Sequence, residues 1–135
     1  MIKPKPLQQG DSVAIIAPAS PSDKNLIDKC ISSLNELGLK VVVGESCLSE
    51  HGFLSGTDDV RANDINCMFA DKNIKGIFAL RGGYGCARLL DLIDFKLIKK
   101  NPKIFIGYSD ITALHIAINQ KSKLITYHGP MILTE

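Results

Sequence analysis

Five short apolar runs, rich in β-branched residues and spread over 135 residues, constrain this chain more than any other feature. They are residues 12–17 (SVAIIA), 40–43 (KVVV), 76–80 (GIFAL), 103–106 (KIFI) and 124–127 (LITY), each bounded by Gly, Pro or polar residues. Such runs are continuous rather than alternating, so each reads as a strand buried on both faces, as in a parallel sheet. Helical periodicity fills the stretches between them. Over residues 23–37, Leu26, Ile27, Cys30, Ile31, Leu34 and Leu37 keep the 3.6-residue period and Gly38 supplies the stop. A second helix is expected over residues 58–71 with Val60, Ile65, Met68 and Phe69 inward, shorter ones over 86–93 and 95–100, and another from Asp110 to near Lys121. Strand and helix alternating to a fifth strand is the βαβ signature, and right-handed crossovers place helices on both faces.

The predicted fold class is therefore α/β: an open, mostly parallel five-stranded sheet with helices on both faces, flavodoxin-like. A chain of this length makes one domain and buries roughly two-thirds of its unfolded surface, enough for a core without staples. Sixteen Lys and Arg against fourteen Asp and Glu leave a net charge of +2, too balanced to imply nucleic acid. Cys30, Cys47, Cys67 and Cys86 lack the spacing of a zinc site or a compact disulfide framework and read as reduced, mostly buried thiols. The N-terminus has no apolar signal core, and no segment approaches the ~18 apolar residues of a membrane span, so a cytoplasmic, soluble chain without a membrane partner is expected. Residues 44–57 form the longest irregular section and read as a polar surface loop that could border a site.

Ligands of such sheets bind beyond the carboxyl ends of the strands. There the chain reads Ala17-Pro18-Ala19-Ser20-Pro21-Ser22, Arg81-Gly82-Gly83-Tyr84-Gly85, Gly107-Tyr108-Ser109-Asp110 and His128-Gly129-Pro130. Ser109 lies at a strand-to-helix turn, the place of a nucleophile elbow, where a tight turn lifts the hydroxyl and the helix N-terminus favours an oxyanion. Ser at such a junction is also a common N-cap, and the second glycine of G-x-S-x-G is missing. Backbone conformation separates the two: an elbow calls for a strained positive φ, whereas a cap sits in the β region with its Oγ on a nearby amide. Three glycines in four positions after Arg81 either expose amides to an anion or make a plain turn into a helix. The spacing is neither the dinucleotide fingerprint nor a P-loop. Arg81 itself could clamp a substrate carboxylate or sit in a structural salt bridge.

The histidines do not complete a triad. His51 falls in the polar loop. His115 is six residues beyond Ser109, about 600° around a helix, and is expected to be partly exposed without folding back on Ser109. His128, followed by Gly-Pro, is a weak candidate base. The residues alone leave open a serine hydrolase, a non-catalytic peptide- or carboxylate-binding domain, and a nucleotide-binding flavodoxin-like module.

The ordered segments VAIIAPASP (13–21), LSGTD (54–58) with Arg61 and Asp64, LRGGYG (80–85), IGYSDIT (106–112) and YHGP (127–130) resemble the LD-carboxypeptidases across essentially the whole chain. These serine peptidases remove the terminal D-alanine from murein tetrapeptides in the bacterial cytoplasm during peptidoglycan recycling, and are related to the self-immunity peptidases for microcin C. The resemblance implies Ser109 as nucleophile. It implies an oxyanion hole from the backbone amides of Asp110 and Gly83, with Gly82 as the alternative, and a pocket lined by Arg81, Tyr84 and Ser20. No metal and no cofactor are implied; the partners are the peptide substrate and a C-terminal domain, with a homodimer as the expected assembly. The family's Glu and His come from that C-terminal domain, which follows the HGP motif and is absent from these 135 residues. A microcin-type substrate, or a domain that binds peptide without catalysis, is the alternative.

Overall fold

The computed structural model describes residues 1–130. Strands β1 (Ser12–Ile16), β2 (Lys40–Val43), β3 (Ile74–Ala79), β4 (Ile104–Gly107) and β5 (Tyr127–His128) form one sheet in the order β2-β1-β3-β4-β5, every neighbouring pair parallel. Helices α1 (Lys24–Glu36), α2 (Asp58–Ala70), α3 (Phe95–Lys100) and α4 (Thr112–Ser122) make the crossovers. From β1 the chain steps one way to β2 and then back across β1 to β3, so the topological switch lies between β1 and β3. In an open α/β sheet the ligand crevice forms there.

The pleat explains the layers. Val13, Ile15 and Ala17 pack with Ile27, Cys30 and Leu34 of α1 on one face; Ala14 and Ile16 pack with Ala62, Ile65 and Phe69 of α2, Ile98 of α3, and Leu114 and Ile118 of α4 on the other. Helices thus cover both faces, but unevenly. On the α1 side Phe78, Ile104 and Ile106 are only half-buried and Tyr127 is exposed. Local signals set the helix ends. The carboxylate of Asp23 accepts from the Leu26 amide at 2.9 Å and the hydroxyl of Thr57 from the Val60 amide at 3.3 Å, both N-caps. No helix among the described residues is long and apolar enough to cross a membrane.

Three sequence expectations shift. Residues 44–57 are not a purely surface loop: Ser46, Cys47, Leu54 and Ser55 are buried, because the two serine hydroxyls find partners inside the protein. The fifth strand moves to Tyr127–His128, since Leu124 instead forms an isolated bridge with Ile2. Of the helix expected over 86–93, a single 3-10 turn, Cys86–Leu89, is present.

Cys30, Cys47 and Cys86 are free and buried. Burial pushes the Cys30 thiol up to about 11 and the Cys47 thiol up to about 12, and raises that of Cys86 as well. Burial pushes Lys103 the other way, down to about 8. An unfolded thiol ionises near 8.5, so above that pH the unfolded chain holds fewer thiol protons than the fold, and stability falls as pH rises. Lys103 opposes this, as the unfolded ammonium keeps its proton to about 10.4. Three thiols against one ammonium leave a deficit of two protons. Stability is therefore expected to drop by roughly 2–3 kcal/mol per pH unit between about pH 9 and 10.5. Urea midpoints across that range measure it, and a flat or rising midpoint contradicts it.

Candidate active site

Ser109 follows β4 where the chain leaves the sheet. Tyr108 is still extended (φ −149°, ψ −173°), Ser109 turns to φ 60°, and a 3-10 turn, Ser109–Ile111, runs directly into α4. A positive φ at a non-glycine residue costs on the order of 1–3 kcal/mol and persists where the surroundings enforce it. Here they do. The Asp110 carboxylate accepts the Cys86 amide at 3.0 Å, the Ile111 amide donates to Tyr108 O at 3.3 Å, and the Ile111 side chain is fully buried. The Ser109 hydroxyl is exposed and has no hydrogen-bond partner among the described residues. This is the backbone of an elbow and not of an N-cap.

The glycine turn after β3 lies against it. A Cβ on Gly82 would stand 3.0 Å from Ser109 Cβ, 3.2 Å from Ser109 Oγ and 3.4 Å from the Asp110 amide nitrogen, so a side chain there would press directly on the serine. Gly83, at φ 114°, has its α-carbon against Ser20, whose hydroxyl occupies the space a Cβ would take. The Ser20 amide donates to Gly82 O at 3.3 Å, closing the β1 loop onto the β3 loop. Among the described residues, the amides of Gly82, Gly83 and Asp110 donate to no backbone carbonyl. Ser109, Gly82, Asp110, Gly83 and Ser20 are thus one cluster over the switch point.

The other predicted residues ring it more loosely. Arg81 is exposed and donates to Pro21 O at 3.0 Å; among the described residues it makes no salt bridge, so its head is tethered across the loops without an acidic partner. Tyr84 is half exposed, its ring 5.7 Å from that of Phe53. His51 is exposed in the loop. His128 is exposed beside Gly107, its ring centroid 6.4 Å from that of Tyr108. His115 departs from expectation: it is buried, its ring turned inward onto Gly107 O and Thr126. No imidazole among the described residues hydrogen-bonds Ser109.

Periodicity missed the groups that hold these loops together. Arg61, fully buried, donates from Nη1 to Pro18 O at 2.8 Å and to Gly85 O at 2.9 Å, from Nε to Gly56 O at 3.2 Å, and from Nη2 to the Asp58 carboxylate. Asp58 also takes a two-pronged contact from Arg88, at 2.9 Å on each oxygen, and that hydrogen bonding holds its carboxyl below the usual range. Asp64 accepts the amides of Glu45 at 3.2 Å and Ser46 at 2.8 Å and the Ser46 hydroxyl, and the Ser46 oxygen accepts the Ala17 amide at 2.9 Å. The available signal was an Arg and an Asp three residues apart beside Ala62 and Ile65, on the stripe that faces the core. Replacing Arg61 with Met is expected to cost about 3–5 kcal/mol by orphaning buried acceptors and Asp58. Urea denaturation reads this, and a loss below about 1 kcal/mol contradicts it.

Comparisons with known proteins identify the family and the fold. The family model described as the LD-carboxypeptidase N-terminal domain matches residues 13–129. The probable murein peptide carboxypeptidase of Bacillus subtilis is 50% identical over 133 residues, 98% of this chain and 42% of that protein. An MccF-like protein from Bacillus anthracis superposes with a TM-score of 0.93 at 36% identity, over 98% of this chain and 41% of that one. A muramoyltetrapeptide carboxypeptidase from Oxalobacter formigenes does so with a TM-score of 0.83 at 31% identity, over 92% and 41% respectively. The chain therefore spans about two-fifths of the length of the relatives it matches.

Proposed function

This chain belongs to the LD-carboxypeptidase family, and we propose that it is the nucleophile-bearing N-terminal domain of a serine carboxypeptidase that releases D-alanine from murein tetrapeptide. Cytoplasmic peptidoglycan recycling and a homodimeric assembly are part of the same proposal. The observation that carries it is Ser109 at φ 60°, its hydroxyl free and beside the Asp110 amide and the Gly82 turn. Half the sequence is shared with a murein peptide carboxypeptidase, which supports the substrate class.

In the proposed mechanism Ser109 Oγ loses its proton to a His of the C-terminal domain and attacks the carbonyl of the bond to D-alanine. Negative charge then develops on that oxygen, within reach of the amides of Asp110 and Gly83, or of Gly82 in its place. Fixed N–H dipoles aimed at a developing oxyanion lower the barrier because they need no reorganisation. Collapse expels D-alanine as the His returns its proton to the leaving amine, and the acyl-enzyme that remains is hydrolysed by water with the now neutral His as base. Arg81, Tyr84 and Ser20 line the approach, the arginine being the only cation among the three and the natural partner of a substrate carboxylate. The high TM-score to an MccF-like protein favours a second reading, a microcin-type peptidase. Parallel assays with murein tetrapeptide and microcin C separate the two.

The 135-residue chain alone is expected to release D-alanine negligibly, because loss of a triad base costs several orders of magnitude. Joined to its C-terminal domain it is expected to be active, and Ser109→Ala to lower kcat by about 10⁴-fold or more. D-alanine release by the isolated chain, abolished by Ser109→Ala, would overturn this and return His128 as the base.

A further inference from the structure

His115 lies on the inward face of α4, 6% exposed, with its ring edge-on to Phe105 at a centroid distance of 5.5 Å. Its Nε2 is 2.8 Å from Gly107 O and its Nδ1 is 2.7 Å from Thr126 Oγ1. A carbonyl oxygen only accepts, so Nε2 carries a hydrogen. Burial holds the imidazole below its usual pKa, so the ring is neutral near pH 7 and Nδ1 is the acceptor of the Thr126 hydroxyl proton. The same threonine oxygen accepts from Asn119 Nδ2 at 3.2 Å, and that amide also donates to Leu124 O at 2.6 Å. A directed chain of hydrogen bonds thus runs from Asn119 through Thr126 and His115 to Gly107 O, the last carbonyl of β4.

We propose that His115 is a positioning residue for the nucleophile: its Nε2–H fixes the Gly107–Tyr108 peptide, and through it the strained turn at Ser109. The proposal rests on the reading of Ser109 as the nucleophile. The chain leaves the sheet at Gly107, passes through one extended residue and turns to positive φ, so the orientation of the Gly107 carbonyl sets the direction from which the turn starts. The Gly129 amide is the other donor to that carbonyl, at the longer distance of 3.3 Å and from the segment after β5. Without the imidazole, the turn has a relaxed alternative, an ordinary cap with the serine in the β region and its hydroxyl on a nearby amide. A hydroxyl displaced by about 1 Å forfeits up to about 100-fold in rate.

The test uses the enzyme containing this domain together with its C-terminal domain, and compares His115→Leu, His115→Gln, Thr126→Val and Ser109→Ala. His115→Leu is expected to lower kcat about 10- to 100-fold with KM within about twofold. His115→Gln, whose amide can still donate to Gly107 O, is expected to keep kcat within about threefold of wild type. A folded His115→Leu enzyme with wild-type kcat overturns the proposal. So does equal loss in the Leu and Gln variants in step with their melting temperatures, which would make the residue a packing element. Should the Leu variant not fold, Thr126→Val removes the hydroxyl that fixes the tautomer; an unchanged kcat there overturns the proposal, and a fall in kcat alone supports it. Nitrogen-15 NMR of His115 in the wild-type enzyme should show the neutral tautomer with hydrogen on Nε2, and hydrogen on Nδ1 overturns it. Activity surviving in Ser109→Ala would instead sink the nucleophile reading, a result separable from every other outcome.

Discussion

One buried guanidinium organises the carboxyl edge of this sheet. Arg61 reaches from α2 into the space between three loops and donates to a carbonyl of each: Pro18 after β1, Gly56 before α2, and Gly85 after β3. A planar fork of five donors suits the task because no smaller group meets three carbonyls approaching from different directions. The loops are joined through this common partner and also directly, by the Ser20 amide on Gly82 O and the Ser55 amide on Ala19 O, so the walls of the switch-point crevice are tied to one another. Desolvating a guanidinium is expensive, and here its donors meet four oxygen acceptors, one of them the ionised Asp58. Asp64, one turn further along α2, does the complementary work by gathering donors from the 45–46 segment.

That frame bears on Ser109. An exposed non-glycine residue at φ 60° relaxes unless its neighbours over-determine it. Three restraints converge within the five residues from Gly107 to Ile111: the Asp110 carboxylate on the Cys86 amide, the buried Ile111 side chain, and the His115 and Gly129 donors on Gly107 O. The first of these joins the elbow to the segment whose carbonyl Arg61 holds at Gly85. Strain at the serine and burial of the arginine are therefore two ends of one connected frame, and the glycine turn between them carries no side chain that would push the serine away.

The legible parts of the fold were those whose physics is local. Continuous apolar runs located the strands because burial on both faces leaves no room for alternation, and α1 was plain because Ile27, Cys30 and Leu34 keep its stripe between the Asp23 cap and the positive-φ Gly38, although Leu37 lies past the helix and is exposed. Ser109, Gly82, Gly83 and Asp110 could be picked out because a parallel sheet gathers strand ends on one side. What stayed hidden was polar burial. Arg61 and Asp64 interrupt the apolar stripe of α2, and Val60 looked like the better inward residue although it is only half-buried. His115 was read as partly exposed from helical angle alone, yet its partners, Gly107 O and Thr126, come from two strand ends that no single segment reveals. Buried polar groups are decided by acceptors far away in sequence, so periodicity cannot price them.

The fold also separates its charges. Helices α1, α2 and α4 begin beside the carboxyl ends of the strands and end beside their amino ends, and the short α3, whose Phe95 carbonyl meets Ser122 at the end of α4, ends there too, so the negative ends of the helix dipoles gather at the edge remote from Ser109. Lysines collect there: Lys99 and Lys100 close α3, Lys121 closes α4, and the ammonium of Lys103 donates to Met68 O and Asp71 O at the end of α2. A cavity of about 780 Å³ at that edge is lined by Lys3, Lys5, Lys72, Lys75 and Lys103. Of these lysines Lys103 meets the carbonyls at the end of α2 and Lys75 bonds Lys72 O, and none of the residues of the Ser109 cluster contributes to the cavity. At the opposite edge Arg61 and Arg88 are engaged by carbonyls or by Asp58, while Lys24 opens α1 and Arg81 keeps an exposed guanidinium with one bond to Pro21 O, so beside Ser109 the nearest positive character is that of backbone amides and the start of the α4 segment. Fixed amides favour charge that develops beside them, and the exposed guanidinium of Arg81 favours charge already present, so this edge can meet both.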